Sequence, residues 1–187
     1  CALEGLPLVC ENVPATVQPL KPLSGRRNVA LWSEGSQVAV SSSLWRSYPI
    51  NERGLNLLND GRRDAGWTSL EVDQLPQWAW VRFPGLRKID EAVVQAASEA
   101  RRPLELVGEY TDDGGVTFKN LFHVTDPKDL SIRARFPVVA TDIVRIRIDR
   151  VTVPEKSGFA QAQLSEIEVF GDDAVGEGSL ALAAGDE

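Results

Sequence analysis

The chain reads as an all-β protein, an antiparallel jelly-roll β-sandwich of about eight strands, and three observations point there. Short runs with period-two alternation recur through its middle. Turn signals rich in Gly, Pro, Asn and Asp separate those runs at short intervals. No stretch carries the apolar spacing of an amphipathic helix. With 187 residues there is room for one domain and its tails, and a chain of this size buries roughly 70% of its unfolded surface without needing staples.

The elements follow in order. Residues 1–27 hold Pro7, Pro14, Pro19 and Pro22 and end in Gly25-Arg26-Arg27, the texture of an extended lead-in or linker. The domain is expected over residues 28–171. Val29 and Leu31, then Val38 and Val40, alternate with small or polar neighbours and predict strands, with Trp32 in the core. A loop over residues 44–54 carries two aromatics and two arginines. In WAWVRF, residues 78–83, Ala79, Val81 and Phe83 share one face while Trp78, Trp80 and Arg82 share the other; Pro84-Gly85 is expected to end this strand. Ile89 to Ala97 predicts a strand on its β-branched centre. Leu104, Leu106 and Tyr110 predict another, followed by an Asp112-Asp113-Gly114-Gly115 turn and a partner strand over 116–124. Ile132 to Ala140 alternates but contains Pro137, which suits an edge. Ile143 to Ile148 alternates with Arg145 and Arg147 facing water, and Gln161 to Gly171 predicts the last strand. Residues 172–187 are acidic, small and Gly-rich, as in a flexible tail.

A formal net charge of −7 argues against nucleic acid as a partner, since phosphate binding needs a basic surface. No apolar run reaches the length of a membrane span. Cys1-Ala2-Leu3 suits the lipid-bearing start of a mature bacterial lipoprotein; a Cys1–Cys10 disulfide or an arbitrary boundary fits equally, and all agree with an exported, extracellular or cell-surface protein. Two cysteines exclude a thiolate-rich zinc site. His123 is the single histidine and has no nucleophile beside it, and the acid pairs Asp112-Asp113 and Asp172-Asp173 fall in a turn and in the tail. No catalytic residue is expected.

One stretch concentrates oxygen atoms. Residues 55–69, LNLLNDGRRDAGWTS, break at Asn59-Asp60-Gly61 and again at Ala65-Gly66, gathering the side chains of Asn59, Asp60, Asp64, Thr68 and Ser69 with carbonyls freed by the turns. Hard cations such as Ca²⁺ take six to eight oxygens from such mixed sources. An ordinary turn beside a core Trp67 accounts for the same residues.

Three features then line up: NDG…GW at 59–67, QWAWVRF at 77–83 and LSEIEVFG at 164–171, with VRIRI just before the last. In that order the chain, over about residues 28–171, resembles the discoidin or coagulation-factor type C family of the galactose-binding-like superfamily. The resemblance implies a jelly-roll binding module, carbohydrate-directed in bacterial members and directed to lipid head groups or proteins in others. It also implies a structural Ca²⁺ joining the first loop to the last strand. Transferred residue by residue, its ligands are Asp60 and Glu166 with carbonyls near Leu58 and Ala162, and Asp64 or Thr68 in addition. The pattern departs at Arg62 and Arg63, two cations beside the expected site.

In such modules the ligand site lies on loops at one end, here residues 44–54, 70–77, 112–120 and 154–161. Trp45 and Tyr48 offer aromatic faces to sugar C–H groups, Arg46, Asn51, Glu52 and Arg53 offer directional hydrogen bonds, and Phe159 is a second aromatic. Trp67 and Trp78 are expected to pack. The chain thus reads as a non-catalytic binding module of an exported protein, alone or as one domain of a larger chain, recognising a glycan or other cell-surface ligand. The alternatives are an adhesion or protein-interaction module without a sugar ligand, and an accessory domain of a glycan-degrading enzyme.

Overall fold

The computed structural model describes residues 26–44, 56–64, 66–70, 74–156 and 158–173. Among them seven strands form: β1 (Gln37–Val40), β2 (Trp67–Thr68), β3 (Gln77–Ala96), β4 (Pro103–Thr111), β5 (Lys119–Thr125), β6 (Ser131–Val151) and β7 (Gln163–Asp173). Three single-turn 3-10 helices, Trp32–Glu34, Asn56–Leu58 and Glu99–Arg101, complete the elements. The fold is an all-β antiparallel jelly-roll sandwich.

Its organising piece is a ribbon. β3 and β6 pair antiparallel from Gln77↔Ile148 through to Gln95↔Ser131, with register shifts between Arg82 and Arg87 and between Ile89 and Glu91. Laid flat, a strand of twenty residues would run roughly 65 Å. The ribbon instead folds over at its middle, so its two halves belong to different layers. One layer runs β1, first half of β3, second half of β6, β4, β5; the other runs β2, β7, second half of β3, first half of β6.

Hydrogen bonds between the free ends of the two halves show the fold-over. Ser41 N donates to the Trp78 carbonyl in one layer, Ser69 N donates to the Ala162 carbonyl in the other, and Leu44 N reaches the Thr68 carbonyl between them, each at 2.9 Å.

Pro84-Gly85 and Pro137 therefore do not end strands; they lie in the unpaired stretches where the ribbon turns over. The four expected strands at 78–83, 89–97, 132–140 and 143–148 are two long ones, and the two-residue β2, which was not expected, brings the strands among the described residues to seven. Pro137 has no N–H to donate, and it sits where β6 is the open edge of its layer, beyond the reach of β4, which pairs only from Ile143 onward.

The two inner faces meet in one core. Ala79, Val81, Phe83, Ile89, Ala92 and Val94 come from β3, Val144, Ile146 and Ile148 from β6, Leu106 from β4, and Leu164, Ile167 and Val169 from β7. The parity of β7 changes at Ser165, where the register slips between Gln95 and Ala96. Leu164 thus faces the core together with Ile167 and Val169, and Glu166 and Glu168 face outward.

Two expectations are corrected at the start of the domain. Asn28 to Leu31 is no strand but a turn held by one bridge from Asn28 to Phe170. Trp32 is not core: it opens a 3-10 turn and is 44% exposed. Cys1, Cys10, most of the lead-in and most of the tail fall outside the described residues.

Candidate functional site

Three of the four expected ligand loops spring from one end of the sandwich, where their stems are knotted together. Ser41 and Ser42 hydroxyls donate to Gln77 Oε1. Leu70 N donates to Ser42 Oγ, and the Trp67 indole N–H donates to the Ser42 carbonyl at 2.6 Å. Gln161 Nε2 donates to the Ser69 carbonyl at 2.9 Å. The stems of loops 44–54, 70–77 and 154–161 are thereby fixed to one another. Trp45, Arg46, Tyr48, Asn51, Glu52 and Arg53 lie outside the described residues. Phe159 is at this end, 46% exposed, its carbonyl accepting from Arg101 Nη1 at 3.2 Å. Loop 112–120 does not join them. Thr111 pairs with Ile143, and Ile143 with Arg82, so this loop leaves from the far end of the first layer, near the bend.

The oxygen-rich turn lies against the outer side of β7. Gly61 has φ +80°, a conformation that costs glycine little, and its N–H donates to Glu166 Oε1 at 3.2 Å. Gly66 carries the chain over β7 so closely that a Cβ there would stand 2.1 Å from the Leu164 carbonyl oxygen. NDG and GW are thus a turn that reaches Glu166 and a close crossing that leads into Trp67, which is 2% exposed and packs as expected.

Glu166 is fully buried and its Oε2 has no hydrogen-bond partner. Burial pushes its carboxyl up to about 9; the Gly61 N–H opposes this, while Asp60 and Glu168 add to it. Burial also raises Asp60, whose Oδ1 accepts from Arg62 N at 2.8 Å. One more buried oxygen without a hydrogen-bond partner belongs to the same neighbourhood, Gln95 Oε1, directly across the ladder from Glu166; Asn59 Oδ1 also lacks one, but its amide is turned to the Ala30 and Ser36 carbonyls. Sequence reasoning missed Gln95, because only strand register brings it opposite Glu166.

The other expected ligands are placed differently. Leu58 is buried at the head of the turn. The Ala162 carbonyl already accepts from Ser69 N, and Thr68 Oγ1 accepts from Gln163 Nε2 at 3.2 Å. The Asp64 side chain is 61% exposed and turned to Arg62, which donates from Nε at 3.1 Å and lowers the Asp64 pKa through this hydrogen bond. Arg63 Nη2 reaches Glu168 at 2.7 Å. Both arginines therefore have acidic partners of their own. Among the described residues no three His, Cys, Asp or Glu side chains converge, so any cation here rests on two carboxylates and neutral oxygens.

A second surface lies on the outer face of the layer containing β1 and β4, where three rungs cross the sheet. Trp78 stands opposite Arg147 and Val107, Trp80 opposite Arg145 and Glu109, and Arg82 opposite Ile143 and Thr111. Glu109 is 3% exposed and accepts from Arg145 Nε at 2.6 Å and Arg147 Nη1 at 2.9 Å. Arg147 also donates to Asp149, which raises the Arg147 pKa. The Arg145 guanidinium lies 3.6 Å from the centre of the Phe118 ring, and that of Arg82 lies 5.7 Å from Trp80. Trp78, expected to pack and to share a face with Trp80 and Arg82, is half-buried on this outer face. His123 is exposed on β5 and lies 3.0 Å from Glu105.

No protein-family profile matches the sequence, and no curated protein does. Solved structures do share the fold. CpGH89CBM32-5 from Clostridium perfringens, in complex with GalNAc-β-1,3-galactose, is 18% identical with a TM-score of 0.56; the match covers 77% of this chain and 99% of that one. Chitosan-binding module 2 of a chitosanase/glucanase from Paenibacillus sp. IK-5, in complex with chitotriose, is 18% identical with a TM-score of 0.60, covering 77% and 100%. The family 89 glycoside hydrolase from Clostridium perfringens, in complex with 2-acetamido-1,2-dideoxynojirmycin, is 17% identical with a TM-score of 0.57, covering 79% of this chain and 15% of that one.

Proposed function

We propose that the chain is a non-catalytic module of an exported protein that binds carbohydrate through loops at one end of its sandwich. The observation that carries this reading is the match of one sandwich to essentially the whole length of two modules in complex with sugars. The knotted stems of loops 44–54, 70–77 and 154–161 supply a rigid base for such a site, and Phe159 is its described aromatic. Trp45, Tyr48, Arg46, Asn51 and Arg53 would provide stacking and hydrogen bonds from the first of those loops.

A Ca²⁺ ion belongs to this reading as a structural group. The residues fit it: Glu166 and Asp60 supply charge, and Glu166 Oε2 and Gln95 Oε1 are buried acceptors without donors. The Leu58 carbonyl is a further oxygen at the same turn. Such an ion would neutralise a carboxylate that the fold otherwise buries uncompensated, tying the turn after Leu58 to β7.

A second reading, an accessory domain of a glycan-degrading enzyme, is favoured by the match to a glycoside hydrolase in which this fold accounts for 15% of the chain. It is compatible with the first and places the same module beside a catalytic domain. Among the described residues no helix is long and apolar enough to cross a membrane.

The test is a glycan-array screen of the full chain with Ca²⁺ and with a chelator. A coherent family of glycan hits is expected in Ca²⁺, with weaker binding in chelator. An array without hits in both conditions, together with a protein partner that binds after Trp45 and Tyr48 are replaced by Ala, would favour the adhesion reading instead.

A further inference from the structure

We infer that the cleft on the outer face of the β1-β3-β6-β4-β5 layer is a second glycan site, and that its ligand is an acidic oligosaccharide with a carboxylate on the sugar ring. The inference rests on the sugar-binding reading and adds to it a surface remote from the end loops.

The cleft has a volume of about 300 Å³ and is lined by Trp78, Trp80 and Arg82 of β3, Ile143 and Arg145 of β6, and Gly114, Gly115 and Phe118 of the β4–β5 loop. That volume is at the small end for ligand sites and holds roughly one or two sugar rings. Strand alternation puts Trp78, Trp80 and Arg82 on one face, so two half-buried indoles lie side by side beneath the opening. Indole faces take the C–H side of a pyranose ring, and the two glycines in the wall present no side chain to obstruct it.

Charge selects the class of sugar. The chain carries a net charge of −7, yet no acid lines this cleft and two arginines do. Arg145 is held in place by Glu109 through Nε alone, with the guanidinium over Phe118. Its terminal nitrogens make no hydrogen bond among the described residues. Arg82 meets Asp142 at 3.9 Å, leans over the Trp80 ring at 5.7 Å and is 45% exposed, so it is weakly held. A planar guanidinium offers paired N–H donors that match a carboxylate, and such charge-assisted bonds are stronger where water is partly excluded. A neutral sugar would use the indoles and leave this pair of donors to water.

The wall is also built to stay in place. Asp113 in the β4–β5 loop accepts from the Thr111 hydroxyl at 2.6 Å and from the backbone N–H groups of Val116 and Thr117 at 3.0 Å. These bonds hold its carboxyl well below the usual range and fix the loop that presents Phe118.

The experiment is a titration of the full chain with trigalacturonate and with its methyl ester, read by calorimetry and by the indole N–H resonances. Trp78→Phe and Trp80→Phe variants assign the two signals. The acid is expected to bind about tenfold tighter than the neutral ester, and Arg82→Gln to remove that preference without unfolding the chain. Both indole signals should move. Trigalacturonate binding that leaves the indoles still and survives Arg82→Gln would overturn the inference and leave the end-loop reading intact. So would array hits for neutral glycans alone. No glycan binding of any kind would overturn both.

Discussion

Glu166 is the residue on which the stability of this domain should depend most visibly. In the unfolded chain its carboxyl ionises near the ordinary value of 4.5, and in the fold it is pushed up to about 9. The folded state therefore favours the protonated acid. Its stabilising share is complete below about pH 4.5 and is lost as pH rises through about 9. Burial raises Asp60 in the same direction. In chelator, the melting temperature should thus fall steadily from pH 5 to pH 9, by on the order of 5–10 °C. Saturating Ca²⁺ should abolish most of that fall, because a bound cation and a proton compete for the same oxygens. Glu166→Gln should melt with little pH dependence and gain nothing from Ca²⁺. Thermal scans across pH on the two proteins check this, and an unchanged slope in the variant would assign the effect elsewhere. The residues behind this prediction were largely legible, since Asp60-Gly61 is a local turn signal and Glu166 stands in a run of strand residues. Gln95 was not, because it meets Glu166 only through a ladder between distant segments.

At the scale of elements, the two-residue β2 and the edge of β7 form the weakest-looking seam, and one glycine makes it possible. Trp67 pairs with Leu164 and Thr68 with Gln163, while Gly66 passes within 2.1 Å, measured to an added Cβ, of the Leu164 carbonyl. The obstacle is backbone, so it cannot swing aside as a side chain would. Gly66→Ala should cost roughly 1–3 kcal/mol in urea unfolding, with Trp67 losing part of its buried environment. A cost near zero would mean that β2 can lift from β7 freely. Sequence patterning showed the glycine and the tryptophan but not the strand, since two residues are too few to display alternation. Conversely it showed the strands flanking Pro84-Gly85 but divided them. A proline and glycine in the chain look alike whether they stop a strand or sit in a bulge, and the paired partner decides which.

Taken as a molecule, the sandwich has no seam along which it could separate into layers, because β3 and β6 run through both. Unfolding one layer means pulling half of each long strand out of the ladder that supports the other. A single cooperative transition follows. Trp67 reports on one layer and Trp78 with Trp80 on the other, so tryptophan fluorescence and far-UV circular dichroism should give coincident urea midpoints. Separate midpoints would show that the bend at Pro84-Gly85 and Pro137 works as a hinge between independent halves. The same fold-over determines the functional geography. It gathers the stems of loops 44–54, 70–77 and 154–161 at the ribbon's free ends and sends loop 112–120 to the bend, where it walls the outer cleft.

By itself the sequence determined the all-β class, the alternation that sorts Ala79, Val81 and Phe83 from Trp78, Trp80 and Arg82, the buried place of Trp67, and the turn that carries Asp60. Each of these is a local property: period, turn chemistry and residue size act over a few neighbouring positions. Tertiary structure alone decided that four strand signals are two folded strands, that Trp32 is exposed, and that Glu109 pins Arg145 beside Trp80 on the cleft face. Those outcomes depend on which distant segments share a ladder, and register is set by the fit of the whole core rather than by the few residues on either side.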